Sequence, residues 1–347
     1  MPHVHTLPVS RRGALAAGGA VGLGALLAAC GRSGAANPGG SGSAGPAGGG
    51  AWSFTDDRGG KVTSARTPQR VVAFTGTAAA LWDFGLRDHL VGVFGETELA
   101  NGKPTPLAGD LDLDKIKIIG NAYGEFDIEK YAAARPDLLV TDMYTQGQLW
   151  YVPTRSTAQI VQLAPTVAIS TAWTSITRPI QRHAALAAAL GADLNAPRVT
   201  AAKARFQAAA EALRRAAQAN PGLKVMAASA STDLFYVSNP AYDCDLIYYR
   251  SLGVDFTTPS KFDAGSYYQG LSWENAGAYQ ADLILLDSRG TALQPADLQG
   301  NPAWSALPAV RAGQVTPWDT VPRFSYAGVA PDMESLAKAV QGAKKLH

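Results

Sequence analysis

The sequence contains the same helix-to-strand pattern twice, at positions 145 residues apart. In the first copy, Phe126-Asp127-Ile128-Glu129 leads through an alanine-rich turn into the apolar run Leu138-Leu139-Val140. In the second copy, Leu271-Ser272-Trp273-Glu274 leads in the same way into Leu283-Ile284-Leu285-Leu286. Such continuous apolar runs are typical of strands that are covered on both faces in a parallel sheet. The repeat therefore predicts two related α/β lobes.

Acidic residues occupy matching positions in the two copies. Three pairs align without a gap: Glu129 with Glu274, Asp137 with Asp282, and Asp142 with Asp287. An acidic residue in the first turn of a helix is stabilised by the free N–H groups and by the helix dipole. We therefore expect each glutamate to begin a short helix. Because helix–strand units recur in many folds, a chance match is the alternative interpretation.

A long helix is predicted between the two copies, over residues 195–222. Asn195 is a suitable N-cap, and Pro197 suits the first turn, where its missing N–H is not needed. Apolar residues then recur on one face at spacings of three and four: Val199, Ala202, Phe206, Ala209, Leu213 and Ala216. At 1.5 Å per residue this segment is roughly 35 Å long. It can thus join a lobe of residues 52–194 to a lobe of residues 223–347, although an ordinary surface helix has the same features.

The first 30 residues have the pattern of an export signal. Arg11 and Arg12 precede an uncharged run, and Leu27-Ala28-Ala29-Cys30 resembles a bacterial lipobox. We expect Cys30 to be lipidated after export by the twin-arginine or the general secretory route. The alternative is an uncleaved anchor, but the run is short for a membrane span. Residues 31–51 are almost entirely Gly, Ala, Ser and Pro, which predicts a flexible tether.

The charge and cysteine content of the mature chain exclude several classes of protein. Of the 30 Lys and Arg residues, Arg11 and Arg12 lie in the signal, which holds no acid, so 28 bases and 28 acids remain. This balance gives no indication of nucleic-acid binding. Cys244 is the other cysteine besides Cys30, so no disulfide within the mature chain is expected. The mature chain, 318 of the 347 residues once residues 1–29 are removed, is longer than a single core usually is, which favours two domains.

Several segments, in this order, resemble the periplasmic binding family for ferric siderophores and cobalamin. They are Pro68-Gln69-Arg70-Val71-Val72, the run from Ala79 to Leu86, Ile128-Glu129 with Pro136-Asp137-Leu138-Leu139-Val140, and Pro302-Ala303-Trp304 with the run from Leu307 to Gly313. The resemblance covers the chain from about Trp52 to its end. It implies two Rossmann-like lobes with parallel sheets, joined by a single long rigid α-helix, and a ligand held between the lobes.

The resemblance also implies a partner and two docking residues. In that family a lipoprotein delivers its ligand to an ABC permease driven by an ATPase, and one glutamate of each lobe pairs with arginines of the permease. These glutamates correspond to Glu129 and Glu274, which the repeat selects independently. An exposed pair of carboxylates can steer and orient a basic partner. The alternative is that both residues simply begin helices.

Ligand-binding residues are expected just after the carboxyl ends of the strands. The candidates are Thr77, Tyr144, Trp150, Tyr151, Tyr236, Tyr242, Arg289, Trp318, Arg323 and Phe324. Aromatic side chains beside a few arginines suit a large, flat, partly anionic metal chelate, through stacking and charge-assisted hydrogen bonds. Ordinary loop packing explains any single aromatic residue equally well.

The sequence thus predicts an extracytoplasmic binding lipoprotein for a ferric siderophore, on the outer face of the cytoplasmic membrane. We expect a monomer that has no catalytic residue, no resident metal and no cofactor, since His89, His183 and His347 are widely spread. Iron would enter only as part of the siderophore. The alternatives are a cobalamin- or haem-binding member of the same family, a ligand-sensing lipoprotein, and a secreted α/β enzyme.

Overall fold

The structure is a computed structural model that describes residues 50–347. The predicted export signal, Cys30 and most of the predicted tether lie outside the described residues. The described chain begins with an antiparallel hairpin of β1 (Trp52–Thr55) and β2 (Lys61–Ser64). No helix within residues 50–347 has the length and apolar character needed to cross a membrane.

The first lobe is built on a five-stranded parallel sheet in the order β5-β4-β3-β6-β7. Its elements, in chain order, are β3 (Val71–Phe74), α1 (Thr75–Asp83), β4 (Leu90–Phe94), β5 (Lys117–Gly120), α2 (Ile128–Ala133), β6 (Leu138–Met143), α3 (Thr157–Leu163), β7 (Thr166–Ser170) and α4 (Thr177–Ala189). All residues of β3 and β6 are buried. Their apolar runs are therefore covered on both faces, as expected for a parallel sheet.

The lobes are joined by α5 (Pro197–Ala219), a helix of 23 residues. Its predicted apolar face is buried, apart from Ala202, which is half-buried. The prediction that Asn195 caps this helix is wrong. Because Pro197 takes the first helical position, the cap falls on Ala196, and the backbone N–H of Asn195 instead bonds to the carboxylate of Asp193 at 2.9 Å.

The second lobe contains a six-stranded mixed sheet in the order β11-β9-β8-β12-β13, with β10 also paired to β8. Its elements are β8 (Lys224–Ala230), β9 (Leu234–Ser238), α6 (Cys244–Ser251), β10 (Asp255–Phe256), β11 (Tyr268–Ser272), β12 (Leu283–Asp287), α7 (Pro302–Ala306), α8 (Pro308–Arg311), β13 (Val315–Trp318) and α9 (Tyr326–Gly342). Strands β9 and β11, which the sequence did not indicate, are antiparallel to their neighbours. A loop of three residues joins β8 to β9, and so short a connection permits only an antiparallel pair.

The sequence repeat is a structural repeat with the same register in both lobes. Strand β6 pairs with β3 from Leu138 and Val71 onward, and β12 pairs with β8 from Leu283 and Val225 onward. Asp137 accepts hydrogen bonds from the backbone at the start of β3, and Asp282 does the same for Lys224 at the start of β8. The predicted two-lobe α/β fold with a joining helix is therefore confirmed.

An aromatic contact fixes the joining helix to both lobes. Phe206 of α5 is buried and packs against Tyr248 and Tyr326, with ring centroids 5.7 and 5.5 Å away. Tyr326, at the start of α9, also packs against Phe84 of the first lobe at 5.9 Å. These rings hold α1, α5 and α9 together at one junction.

We predict that Phe206→Ala lowers the free energy of unfolding by about 3–5 kcal/mol, because it removes a buried ring and leaves a cavity at this junction. Chemical denaturation of the purified domain measures this change. The neighbouring Arg205→Ala is the matched control, since Arg205 is exposed and pairs only with Glu334 on the surface, and it is expected to change stability by less than about 1 kcal/mol. Equal effects of the two substitutions would contradict this account.

Candidate functional site

The two lobes meet through the loops that follow their strands. The hydroxyl of Tyr242, after β9, donates to the backbone carbonyl of Tyr144, after β6. The Thr145 hydroxyl lies 2.7 Å from the hydroxyl of Tyr267, just before β11. On another side, backbone N–H groups of Trp173 and Ile176 donate to carbonyls of Tyr242 and Cys244. We call this meeting zone the interlobe cleft.

An aromatic cluster forms the first lobe's side of the cleft. Tyr144 and Trp150 lie 4.6 Å apart, and Trp150 and Tyr151 lie 5.4 Å apart, measured between ring centroids. Tyr123 packs against Trp150 and Tyr151, and 73% of its surface is exposed. The cluster of Tyr123, Tyr144, Trp150 and Tyr151 thus brings three predicted ligand-binding residues together with one that was not predicted.

Tyr151 has a strained backbone, with φ of 61°. A non-glycine residue rarely adopts this left-handed conformation, and such strain persists where the surrounding contacts hold it. Here the Tyr151 hydroxyl donates to Glu96 at 2.7 Å and its ring packs on Phe74. Burial, reinforced by Glu96, raises the pKa of Tyr151. The Tyr151 hydroxyl therefore stays protonated, and its hydrogen bond to Glu96 fixes its orientation.

Two polar atoms of the aromatic cluster are buried without a hydrogen-bond partner among the described residues. They are the hydroxyl of Tyr144 and the indole N–H of Trp150. Burial raises the pKa of Tyr144 well above its ordinary value, so its hydroxyl remains protonated. Because an unpaired buried donor is unfavourable, these two groups are suited to hydrogen bonds with a ligand.

The second lobe contributes an arginine that is held by a buried aspartate. Asp287, at the end of β12, is fully buried and accepts bonds from the Arg289 guanidinium at 2.7 and 3.0 Å. The hydroxyl of Ser229 donates to the same carboxylate at 2.8 Å. Tyr236 pairs with Ser229 across β8 and β9, and its ring packs against Tyr268. These predicted residues, Tyr236 and Arg289, thus lie near one another.

Arg323 and Phe324 link the lobes from a different loop. The Arg323 guanidinium lies 3.5 Å from the buried carboxylate of Asp83, at the end of α1, which also accepts a bond from Ser325 at 2.6 Å. Phe324 is buried and lies between Tyr144 and His183. Both residues therefore make contacts between the lobes, and Asp83 and His183 are partners that the sequence did not indicate.

Five of the predicted ligand-binding residues are buried: Thr77, Tyr151, Tyr242, Trp318 and Phe324. Trp318 is a core residue, and its indole N–H donates to Asp245 at 2.7 Å. Its assignment to the cleft is corrected, because the side chain of this last residue of β13, an edge strand, packs into the core. Thr77 is also fully buried, in the first turn of α1, with no hydrogen-bond partner for its hydroxyl among the described residues.

The expectation that ligand-binding residues follow the carboxyl ends of strands also selects two residues that were not predicted. Tyr123 follows β5 and Trp173 follows β7, and both are exposed aromatic residues at the cleft. Trp173 packs edge-on against Tyr242 at 4.8 Å and, like Tyr151, has a positive φ. In contrast, Glu96 and Asp83 carry no sequence signal, because only the folded chain brings them to Tyr151 and Arg323.

A pocket with a volume of about 380 Å³ lies beside the cleft, where Gln146 follows β6 and Ser170 ends β7. Asp57 and Arg178 also line this pocket. Since no aromatic side chain lines this pocket, we place the candidate ligand site at the aromatic cluster. Within residues 50–347, no three His, Cys, Asp or Glu side chains come together in a geometry that could hold a metal ion.

Buried carboxyl groups beside the cleft make stability depend on pH. Burial raises the pKa of Asp245 from 3.8 to about 7, although the bond from Trp318 opposes this shift. Burial, reinforced by Asp245, raises the pKa of Asp243 to about 8. Because the folded-state pKa is the higher one, each group's contribution to stability is complete below the unfolded pKa. That contribution is lost as the pH rises through the folded pKa.

We predict that wild type loses roughly 1–3 kcal/mol of unfolding free energy relative to Asp245→Asn when the pH rises from about 5 to about 8. The amide cannot ionise and can still accept the bond from Trp318. Urea unfolding across this range measures the difference. Asp255→Asn is the control, because Asp255 is exposed and pairs with Lys224 at the surface. Parallel pH profiles for wild type and Asp245→Asn would contradict the prediction.

Comparisons with known proteins agree with this architecture. The family model described as periplasmic binding protein matches residues 71–322. The crystal structure of DesE, a ferric-siderophore receptor protein from Streptomyces coelicolor, shares 46% sequence identity with this chain, with a TM-score of 0.82. The match covers 85% of this chain and 100% of DesE. No curated protein matches the sequence.

More distant structures share the fold. The periplasmic catecholate-siderophore binding protein VctP from Vibrio cholerae is 19% identical, with a TM-score of 0.59 over 84% of this chain and 99% of VctP. The petrobactin-binding protein YclQ from Bacillus subtilis is 17% identical, with a TM-score of 0.61 over 84% of this chain and 97% of YclQ. The family model spans most of the chain, and DesE shares 46% sequence identity with the chain. The chain therefore belongs to the periplasmic binding protein family.

Proposed function

We propose that this protein captures a ferric siderophore in the interlobe cleft and delivers it to an ABC permease for iron uptake. The observation that carries this proposal is the aromatic cluster, where two buried donors, the Tyr144 hydroxyl and the Trp150 indole N–H, have no partner among the described residues. The identity of 46% to a ferric-siderophore receptor supports the same ligand class. The protein acts by binding and delivery, without catalysis, and iron enters only within its chelator.

The chemistry of the cleft suits a large chelate. Four aromatic rings offer apolar faces for stacking, and Tyr and Trp combine these faces with a polar atom. The ligand's oxygens can accept hydrogen bonds from the unpaired donors, which would otherwise remain unsatisfied. Since α5 and the contacts around Phe206 hold the lobes at a fixed separation, we expect small closing movements on binding.

The proposal places the protein outside the cytoplasm, attached by lipid on Cys30 to the outer face of the cytoplasmic membrane. The lipobox and the alanine- and glycine-rich tether in residues 1–51 support this location. A lipid anchor keeps the receptor near a permease, which raises its effective concentration there. The protein acts as a monomer in this scheme.

We expect purified residues 31–347 to bind one ferric siderophore with a dissociation constant between about micromolar and nanomolar. Quenching of tryptophan fluorescence measures binding, because Trp150 lies in the aromatic cluster and the exposed Trp173 packs against Tyr242 at the cleft. Trp150→Phe removes one donor and should weaken binding roughly tenfold. Trp82→Phe is the control, since Trp82 lies within α1 and packs against Arg87 instead of the cleft.

The ligand panel for this titration includes ferric siderophores, their iron-free forms, cobalamin and haem. A response to cobalamin or haem alone would keep the fold and overturn the proposed ligand. No response to any member of the panel would favour a sensor or an enzyme. Equal weakening by Trp150→Phe and Trp82→Phe would contradict the proposed position of the site.

Docking on the permease is proposed to use Glu129 and Glu274. Both residues are exposed, each in the first turn of a short helical segment, and they are equivalent in the structural repeat. Neither forms an ion pair within the described residues, so both carboxylates are available to a basic partner. One such group on each lobe provides two points of contact, which set orientation as well as attraction.

We predict that the double substitution Glu129→Ala with Glu274→Ala abolishes uptake of the ferric ligand and leaves its affinity for the purified protein unchanged. Cells that depend on this receptor, supplied with radiolabelled iron chelate, measure uptake. Asp88→Ala with Asp255→Ala is the control, since both are exposed acids, one on each lobe. Normal uptake by the glutamate variant would exclude this docking mode and favour a sensing role.

A further inference from the structure

Two tyrosine side chains of the second lobe reach across the cleft to a single loop of the first lobe. The hydroxyl of Tyr242 donates to the backbone carbonyl of Tyr144, and the hydroxyl of Tyr267 lies 2.7 Å from that of Thr145. The rings of Tyr242 and Tyr267 pack together, with centroids 4.2 Å apart. The two tyrosines therefore hold the start of the loop 144–150, which carries the unpaired donors of the aromatic cluster.

Tyr242 is the fixed member of this pair. Only 2% of its surface is exposed. Its backbone N–H donates to the carbonyl of Asn239 at 3.0 Å, and its own carbonyl accepts a bond from the backbone N–H of Trp173 at 3.0 Å. An antiparallel bridge between Ala172 and Asp243 lies directly beside these bonds. Because backbone bonds hold Tyr242 on both sides, its ring is a stationary surface against which a second group can close.

Tyr267 is the member that can move. Its backbone is anchored, since its N–H donates to the carboxylate of Asp263 at 2.9 Å and its carbonyl accepts a bond from Asn239 at 2.8 Å. Its side chain is half-buried and lies over Gly265, where a β-carbon would overlap the ring. The preceding residues 261–265 are all exposed. The ring can therefore turn into solvent about its own side-chain bonds, without any change in the separation of the lobes.

The donors of the aromatic cluster are inaccessible while this contact is closed. The Tyr144 hydroxyl and the Trp150 indole N–H are both buried, with no partner among the described residues. A ligand can pair with them only after an interlobe contact beside the cluster opens. The bond between Tyr267 and Thr145 is the contact that opens most easily, because it joins two hydroxyl groups near the surface. The other interlobe bonds involve backbone groups or the buried carboxylate of Asp83.

We propose that Tyr267 is a latch on the entrance of the cleft: its hydroxyl closes on Thr145, and a ligand enters only after the side chain has swung out. This inference rests on the proposed function and adds a control of access to the same site. A neutral hydrogen bond of this kind favours the latched form roughly two- to tenfold. Because apparent affinity is reduced by the fraction of molecules that cannot bind, the latch weakens binding and slows association by the same factor.

Removal of the latch is therefore expected to strengthen binding. Tyr267→Phe keeps the ring and deletes the hydroxyl, so the association rate constant should rise and the dissociation constant should fall, each by roughly two- to tenfold. The dissociation rate constant should stay the same, because the latch bond is already broken in the complex. Stopped-flow tryptophan fluorescence measures these constants, with one ferric hydroxamate and one ferric catecholate siderophore added separately.

Two further substitutions test whether the effect belongs to this bond. Thr145→Val removes the other partner and should give the same change, and combining it with Tyr267→Phe should add nothing, since one bond is lost in all three variants. Tyr279→Phe is the matched control. The Tyr279 hydroxyl accepts a bond from Ser260 at 2.8 Å and donates to Gln269 at 2.7 Å, both within the second lobe, so its loss should leave the binding constants unchanged.

Hydrogen exchange tests the latch without a ligand. In Tyr267→Phe the loop 144–150 loses one of its ties to the second lobe, so its backbone amides should exchange several-fold faster than in wild type. In Tyr279→Phe the exchange of this loop should equal that of wild type. Mass spectrometry of peptides from the loop measures the rates.

The outcomes separate this inference from the proposed function. Weaker binding by Tyr267→Phe would overturn the latch, because the hydroxyl would then be a contact of the ligand. An unchanged association rate constant, or an equal rise in Tyr279→Phe, would overturn it as well. If no ferric siderophore binds to any of these proteins, the proposed function fails and hydrogen exchange alone decides: faster exchange confined to the latch variants supports the latch, and equal exchange contradicts it.

Discussion

The contacts that the start of α9 makes with Phe84, at the end of α1, and with α5 fix how the two lobes are arranged. Tyr326 packs against Phe84 of the first lobe and Phe206 of the joining helix, and Ser325 beside it donates to the buried Asp83. A buried carboxylate needs its partners, so this polar contact fixes one arrangement of the lobes, while the rings supply apolar burial. The cleft is the space that this junction leaves between the two sheets.

The same physical rule explains the electrostatics of the cleft. Asp287 and Asp83 are buried carboxylates, and each holds an arginine that could otherwise face the ligand. The desolvation of such groups is tolerated only when they are paired. The two arginines are therefore engaged with carboxylates of the protein itself.

Much of the fold could be predicted because its signals are local. The apolar runs around Leu138 and Leu283 and the stripe along α5 follow from the periodicity of neighbouring residues, and the repeat followed from direct alignment. The antiparallel strands β9 and β11 could not be predicted in the same way. Their residues, such as Tyr236 and Gly270, mix aromatic, polar and glycine positions, and their pairing depends on a partner distant in the chain.

The candidate site was predictable only in part. The sequence placed Tyr144, Trp150 and Tyr151 after a strand, and parallel strands bring such loops to one edge of a sheet. It could not show that Trp318 lies in the core or that Glu96 meets Tyr151, since both depend on contacts between distant segments.

The sequence by itself determined the two-lobe α/β architecture, the joining helix and the equivalence of Glu129 with Glu274, because each is encoded in local periodicity or in the repeat. Only the tertiary structure decided which arginines are free and which donors are unpaired. Those properties arise from the burial of Asp83 and Asp287, and burial is a property of the packed chain rather than of any segment.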